Sequence, residues 1–279
     1  MLFLRFTSPK YLFILISHTQ ACLRWKEGTW GELISFFIMD KNKFKLTESS
    51  FGRSIYMILP FAAYYVTLNL LIRGARLVVL YAARSNGDFV GVFRRNASSI
   101  EMCCSIFAYV VTIVLLWLLF RKSDPVQQKI NPVNPKNIVT YICTFIGGGA
   151  SAIALNALVA CILELVKADD SLTRGMSFDA GKPFLPGLIL YVLLSPLLEE
   201  MTFRWLTYGR IKKVIGESQA ILITSVFFAL VHGNVVVAVY AFIMGMIMAL
   251  IYRQSKTFAL CVLFHLSANA FVFVSAYVL

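Results

Sequence analysis

Two adjacent carboxylates and an arginine lie at the end of a long apolar run. Glu199, Glu200 and Arg204 follow the stretch 184–198 in a chain that is 59% hydrophobic and 14% charged. A charge at the centre of a membrane span costs roughly 2.5 to 3.5 kcal/mol on insertion scales, so such residues are expected to serve a site. On a helix, Glu200 and Arg204 are four residues apart and can neutralise each other. Glu199 points elsewhere, and we predict that it is the carboxylate left free for chemistry.

Two of the three histidines also lie in apolar runs, and each has a partner one helical turn away. Phe228 precedes His232 by four residues and His265 precedes Asn269 by four, so the members of each pair share a helix face. A lone buried polar side chain often serves only to bond two helices, and Asn269 alone fits that role equally well. Several such groups in neighbouring helices are costly to bury unless they serve one site.

These residue types suit hydrolysis of a peptide bond by water. The reaction needs a base to activate water, donors for the developing oxyanion and a proton for the leaving amine. We expect Glu199 to be the base, His232 to share or relay the proton, and His265 with Asn269 to face the oxyanion. The sequence has no GxSxG elbow to mark a serine nucleophile, which favours attack by water over covalent catalysis. His232 also fits a plainer role, as a helix-end residue bonded to a free carbonyl.

The elements that must position these residues are apolar helices. The 279-residue chain has a mean hydropathy of +0.75 and several runs long enough to cross a hydrocarbon core of roughly 30 Å. We predict an all-α, polytopic membrane helix bundle with about 7–8 transmembrane helices. The seven expected spans are 55–72, 102–120, 138–166, 184–208, 218–232, 235–252 and 258–279. An eighth span would require the N-terminus or residues 77–97 to insert into the membrane. Without such insertion, we expect the arginine-rich segment 73–95 to be an amphipathic interfacial helix.

Two local features are expected to shape the spans. Pro196 has no backbone N–H, so we expect a kink and a carbonyl of Val192 without its usual donor. The third span contains the small-residue run 147–151, which allows another helix to approach closely. Asn156, further along that span, is expected to hydrogen-bond a neighbouring helix.

The domain prediction is a single membrane-embedded protease domain over residues 39–279, with its motif core at 184–272. Residues 1–38 are predicted to be a loose N-terminal tail or an upstream extension, because the run 11–17 is too short to span a membrane. The sequence Met39-Asp40-Lys41-Asn42-Lys43 is typical of a natural start followed by a short basic lead.

The distribution of charge and of cysteines argues against a nucleic-acid-binding protein and against a disulfide-rich secreted protein. The net charge of +12 lies mainly in short loops beside spans, which indicates a positive-inside bias and contact with anionic membrane lipids rather than nucleic acid. The six cysteines show neither CxxC spacing nor a secreted-domain framework, so no redox or metal role is predicted for them. We expect an integral, multi-pass membrane protein, and the size of the chain and the style of its motifs suggest a bacterial cell membrane.

Three motifs in this order resemble those of the CPBP family, which comprises CAAX proteases and bacteriocin-processing or self-immunity proteins. The family includes the Ras-converting CAAX endopeptidase of the endoplasmic reticulum. The resemblance covers residues 184–272. Its motifs here are Glu199-Glu200-xxx-Arg204, Phe228-xxx-His232 and His265-xxx-Asn269.

The resemblance implies an intramembrane glutamic endopeptidase that uses no metal or other cofactor. By resemblance, Glu199 and His232 would activate the water, and His265 and Asn269 would form the oxyanion site. The remaining motif residues would support the site: Glu200, Arg204 and Phe228. The implied substrate is a membrane-associated protein or peptide, cut by CAAX-type C-terminal processing or by bacteriocin or signal-peptide processing.

Other functions stay open. In a zinc-dependent membrane metalloprotease, His232, His265 and one glutamate would supply three ligands, although there is no HExxH motif and Arg204 would disfavour a second positive charge. A non-enzymatic bacteriocin self-immunity or partner-binding protein is a different class, and the intact motif set argues against it. An ion or proton transporter would also bury carboxylates and histidines, but the chain shows no internal repeat.

Overall fold

The fold is a bundle of helices. The computed structural model describes residues 50–85, 87–121, 137–167 and 182–278, and within these ranges it contains no strand. In chain order the helices are α1 Ser50–Ser85, α2 Gly87–Phe120, α3 Ile138–Leu165, α4 Phe184–Ile215, α5 Glu217–Leu230, α6 Val235–Ser255 and α7 Phe258–Val278. The all-α prediction is confirmed. The predicted tail 1–38 lies outside the described residues.

Among the described residues, six helices are long and apolar enough to cross a membrane by length and composition. The exception is α5, which has 14 residues and is therefore about 21 Å long, shorter than a hydrocarbon core. The predicted fifth span, 218–232, is thus a short apolar helix that ends at Leu230. The prediction of a helical membrane bundle is confirmed. Helix α5 is shorter than its neighbours.

The arginine-rich segment 73–95 is divided between two helices. Its first part continues α1, which is one helix of 36 residues. Its last part belongs to α2, which is kinked at Asn96, where φ is −112° and ψ is 15°. Arg76 of α1 forms an ion pair with Glu101 of α2. The charge pattern therefore reflects a helical hairpin whose two arms share an ion pair, which composition alone does not reveal.

The central helix, α4, contacts α1, α2, α5 and α7. Two of its segments, 188–194 and 201–208, have the wider π-helical turn, and they flank one α-helical turn at 195–200. π-helical segments are rare and are frequent at functional sites. Here the α-helical turn between them carries both glutamates, so the change of register determines the directions in which the two carboxylates project.

The register of α4 also moves the backbone group that lacks a donor. The N–H of Ser195 donates to the carbonyl five residues earlier, and continuing that register would require an N–H at residue 196 for the carbonyl of Tyr191. Pro196 has none. In this structure the carbonyl that lacks a backbone donor is therefore that of Tyr191. The prediction from α-helical spacing, which named the carbonyl of Val192, is wrong by one residue. The side chain of Asn269 supplies a donor to Tyr191 instead, at 2.9 Å.

Helix α3 packs closely along α7 through its glycines. A Cβ atom on Gly148 would lie 2.2 Å from the carbonyl oxygen of Phe264. The hydroxyl of Ser267 accepts a hydrogen bond from the N–H of Gly149 at 3.1 Å and donates to the carbonyl of Phe145. It thus bonds two backbone groups of α3 that are one helical turn apart. The close approach predicted for the small-residue run is confirmed at these two glycines, and it fixes α7 against α3.

Candidate active site

The predicted catalytic residues line one cavity of about 370 Å³. Glu199 comes from α4, His232 from the turn between α5 and α6, and His265 with Asn269 from α7. Residues of α1, α2, α3 and α6 also contribute to its wall. The structure therefore brings together four residues that three separate motifs supply.

Glu200 and Arg204 form a fully buried ion pair beneath this cavity. Nη1 of Arg204 lies 3.1 Å from Oε1 of Glu200, but the two groups are not aligned for a hydrogen bond. Nη2 of Arg204 donates to the carbonyl of Gly245 in α6 at 3.1 Å. Its guanidinium carbon also lies 4.9 Å from the centroid of the Phe228 ring. The arginine thus connects α4 to both α5 and α6.

His265 contacts both glutamates. Its Nδ1 lies 2.9 Å from Oε1 of Glu200, and its Nε2 lies 3.8 Å from Oε2 of Glu199. Since a carboxylate oxygen accepts hydrogen bonds, Nδ1 carries a proton. The second separation is beyond hydrogen-bond length and leaves Nε2 directed toward the carboxylate and the cavity. We did not predict the contact with Glu200, because it depends on how α7 packs against α4.

The buried charges of this cluster can balance. Two carboxylates, Glu199 and Glu200, lie with one guanidinium, Arg204, among side chains that are almost fully removed from solvent. An uncompensated charge in such surroundings is costly. When His265 is protonated, two negative charges meet two positive charges. The protonated ring also carries a hydrogen on Nε2, which a neutral ring with its proton on Nδ1 does not.

Ser195 holds the carboxylate of Glu199 in place. Its hydroxyl, one turn earlier on α4, donates to Oε1 of Glu199 at 2.5 Å. The hydroxyl of Tyr109, on α2, forms a hydrogen bond with the side chain of Ser195. Sequence reasoning missed both residues. The four-residue spacing from Ser195 to Glu199 could have identified the serine, whereas Tyr109 lies in an apolar run with no local signal.

His232 lies just beyond the end of α5. Its Nδ1 donates to the carbonyl of Phe228 at 2.7 Å, so the plain role of a helix-end residue is realised. Because a carbonyl only accepts, Nδ1 holds the proton and a neutral ring has its lone pair on Nε2. The Phe228 ring packs against the rings of both His232 and His265, with centroid distances of 4.9 and 5.6 Å. The structural bond therefore sets the tautomer that a base requires.

Asn269 is fixed by the irregular register of α4. One hydrogen of its Nδ2 is donated to the carbonyl of Tyr191, which also determines the orientation of the amide. The second hydrogen of Nδ2 remains available, since an asparagine amide carries two. Asn269 therefore both connects α7 to α4 and keeps one donor at the wall of the cavity.

The hydrogen bonds of the two histidines determine which ring nitrogens would be available to bind zinc in a metalloprotease. Nδ1 of His232 and Nδ1 of His265 are engaged by protein acceptors, so the Nε2 atoms are the ones that a metal would use. Across the part of the chain that the structure describes, no three His, Cys, Asp or Glu side chains form a group suited to a metal ion.

The comparison with known families bears on the same region. Residues 181–271 match the family described as type II CAAX prenyl endopeptidase Rce1-like. Over this segment the chain is similar to the Rce1-like family. The match includes every motif residue, and it confirms the family resemblance that the three motifs indicated. No curated protein and no solved structure matches the chain.

The Rce1-like segment runs from just before α4 into α7, about a third of the chain. It contains the ion pair, both histidines and Asn269. Helices α1, α2 and α3 lie outside it, yet each contributes a polar side chain to the cavity: Tyr64, Tyr109 and Asn156. The wall of the site is therefore built partly by segments in which no motif is recognisable.

Proposed function

We propose that the protein is an intramembrane endopeptidase that hydrolyses a peptide bond of a membrane-associated protein or peptide in a bacterial cell membrane. The observation that carries the proposal is the convergence of Glu199, His232, His265 and Asn269 on one cavity among apolar helices. The Rce1-like match supports it. CAAX-type C-terminal processing and bacteriocin or signal-peptide processing are the two proposed kinds of cleavage.

The first chemical step is attack by water. Oε1 of Glu199 is occupied by the Ser195 hydroxyl, so Oε2 is the oxygen that accepts a proton from water as the water oxygen bonds to the scissile carbonyl carbon. The lone pair on Nε2 of His232 shares this proton and passes it to the amine as the carbon–nitrogen bond breaks. The proton taken from water thus leaves with the amine product.

The second requirement is stabilisation of the oxyanion. The free N–H of Asn269 donates to it, and Nε2 of His265 donates when the ring is protonated. Two oriented donors in a site shielded from water are the usual arrangement for this task. In this scheme Glu200 acts through His265, because its carboxylate accepts the proton on Nδ1 and so directs Nε2 toward the reacting group.

The walls of the cavity suit an apolar stretch of substrate. Most of the groups that α6 and the end of α7 contribute are apolar side chains: Val237, Ala241, Met244, Met248 and Val272. Binding of an apolar segment against this surface is favoured in proportion to the apolar area removed from water. We therefore expect apolar side chains beside the scissile bond.

The test compares protein and peptide termini in host cells that carry wild type or Glu199→Gln at matched membrane levels. Termini that vanish with Glu199→Gln establish proteolysis and identify the substrate. Glu164→Gln is the matched control, because Glu164 is exposed on α3 and does not line the cavity. It should leave all termini unchanged.

Two results would replace this proposal. If no terminus changes while a phenotype such as bacteriocin resistance persists with Glu199→Gln, the protein is a binding or self-immunity protein. If a chelator abolishes cleavage by the purified protein and added zinc restores it, the enzyme is a metalloprotease in which His232 and His265 are ligands.

A further inference from the structure

We infer that Asn156 of α3 is a substrate-binding residue, and that its side-chain amide hydrogen-bonds the main chain of the substrate two residues from the scissile bond. The inference rests on the proposed endopeptidase function and extends it. It assigns a role in substrate recognition to a helix outside the Rce1-like segment.

The polar side chain of Asn156 faces the catalytic cavity without a protein partner. Asn156 is partly exposed, lines that cavity and belongs to a helix long and apolar enough to cross a membrane. Within the described ranges its side chain forms no hydrogen bond, so the predicted bond to a neighbouring helix is not formed. By contrast, the side chains of Asn69, Asn234 and Asn269 each bond a backbone group.

An unmatched amide among the apolar residues of α3 has an energetic cost. The side chain of asparagine carries two donor hydrogens and an acceptor oxygen, and removing such a group from water without hydrogen bonds costs about 1 to 3 kcal/mol in proteins. Leucine at this position would avoid that cost. A residue whose side chain bonds no neighbouring helix yet lines the cavity is suited to a group that arrives with the substrate.

The register of α3 against α7 gives the height of Asn156 above the catalytic residues. The two helices run in the same direction, since the spans between them alternate, and Gly149 touches Ser267. Asn156 lies two turns beyond Gly149, about 10 Å along the axis, whereas Asn269 lies about 3 Å beyond Ser267. Asn156 is therefore about 7 Å farther along the bundle than Asn269.

That height matches the repeat of an extended peptide. A strand rises about 3.3 Å per residue, and main-chain groups two residues apart face the same side. When the scissile carbonyl lies at Asn269 and His265, the main chain two residues away lies at the level of Asn156. An amide can accept from a peptide N–H and donate to a peptide C=O, so it recognises a main chain whatever the side chain is.

The experiment uses the full-length protein and the peptide whose Glu199-dependent cleavage the comparison of termini identifies. Asn156→Leu should raise KM by about 2- to 10-fold, the range for loss of one hydrogen bond, with kcat within about twofold of wild type. Its thermal unfolding midpoint in detergent should equal or exceed that of wild type, because an unmatched amide is removed. Leu158→Ala on the exposed side of α3 is the control and should leave KM unchanged.

A substrate with an altered main chain makes the test specific. Two depsipeptides are compared, each with an ester in place of the amide two residues from the scissile bond, one on either side. Wild type should lose affinity for one of them, and Asn156→Leu should show no further loss for that analogue, because both changes remove the same contact.

The failures of the two proposals are distinguishable. If wild type cleaves the peptide in a Glu199-dependent manner and Asn156→Leu has an unchanged KM, or if its unfolding midpoint falls, Asn156 is a structural residue and the inference is overturned while the endopeptidase stands. If wild type shows no Glu199-dependent cleavage at all, both proposals fall together.

Discussion

Nδ1 of His265 lies 2.9 Å from Oε1 of Glu200, the same oxygen that lies 3.1 Å from Nη1 of Arg204. One carboxylate oxygen therefore meets a guanidinium within α4 and an imidazole from α7. This contact gives Glu200 a second function besides neutralising Arg204, since it sets both the tautomer and the direction of the His265 ring. The second glutamate of the pair thus acts on the site through a histidine.

Removing the arginine should destabilise the fold. Arg204→Ala leaves Glu200 fully buried without its guanidinium, and loss of one partner of a buried pair costs about 3 to 5 kcal/mol. We expect a clear drop in the thermal unfolding midpoint in detergent. Lys212→Ala is the control, because the pair of Lys212 and Glu217 is half-exposed and such pairs contribute about 0 to 1 kcal/mol. Equal midpoints for Arg204→Ala and wild type would contradict the pairing argument.

The two functions of His232 can be separated by substitution. Asn at this position keeps a donor close to the position of Nδ1, so His232→Asn should preserve the bond to the carbonyl of Phe228. It removes Nε2, and loss of a general acid–base group lowers turnover by about 100- to 10,000-fold. Turnover of the identified substrate and the unfolding midpoint are measured together. Cleavage by His232→Asn at the wild-type rate would show that His232 serves only as a structural residue at the helix end and takes no part in proton transfer.

The glycines of α3 offer a matched pair of packing variants. Gly148→Ala places a methyl group 2.2 Å from a backbone oxygen of α7, so the helices must separate, and overpacking of this kind costs about 1 to 3 kcal/mol. Gly147→Ala places its methyl group where nothing lies within 4 Å and should be tolerated. Thermal unfolding of both variants checks the prediction. A Gly148→Ala protein as stable as the Gly147→Ala protein would mean that α3 and α7 do not approach closely.

Sequence reasoning reaches those parts of the site that depend on spacing along one helix. The pairing of Glu200 with Arg204 follows from their four-residue separation, and the choice of Glu199 as the free carboxylate follows from the same geometry. The helix bundle follows from the apolar runs. Each of these depends only on residues that are close in the chain.

Features that depend on contacts between helices could not be predicted. The bond from His265 to Glu200 needs the register of α7 against α4, which neither helix specifies by its own sequence. The π-helical turns of α4 moved the missing donor by one residue, because helix width is decided by packing and not by local propensity. The sequence predicts a bond from Asn156 to a neighbouring helix, which is not formed within the described ranges, because the direction of a side chain depends on how the helices pack.

The hydroxyl of Ser195 should matter for turnover rather than for binding or folding. Ser195→Ala removes the donor to Oε1 of Glu199, which leaves the base free to rotate away from the attacking water. Since misplacement of a catalytic group by about 1 Å can cost roughly 100-fold, we expect kcat to fall by about 10- to 100-fold with KM nearly unchanged. The kinetics of Ser195→Thr, which keeps a hydroxyl, provide the control.

Tyr109 should act through the same hydrogen bond. Tyr109→Phe removes the hydroxyl that bonds Ser195 and should reduce kcat less than Ser195→Ala does, because the serine still reaches Glu199. The double variant should be no slower than Ser195→Ala alone, since the two residues form one chain of hydrogen bonds that ends at the carboxylate. Steady-state kinetics of the three proteins measure this coupling. Losses that simply multiply would show that Tyr109 acts on the substrate directly and not through Ser195.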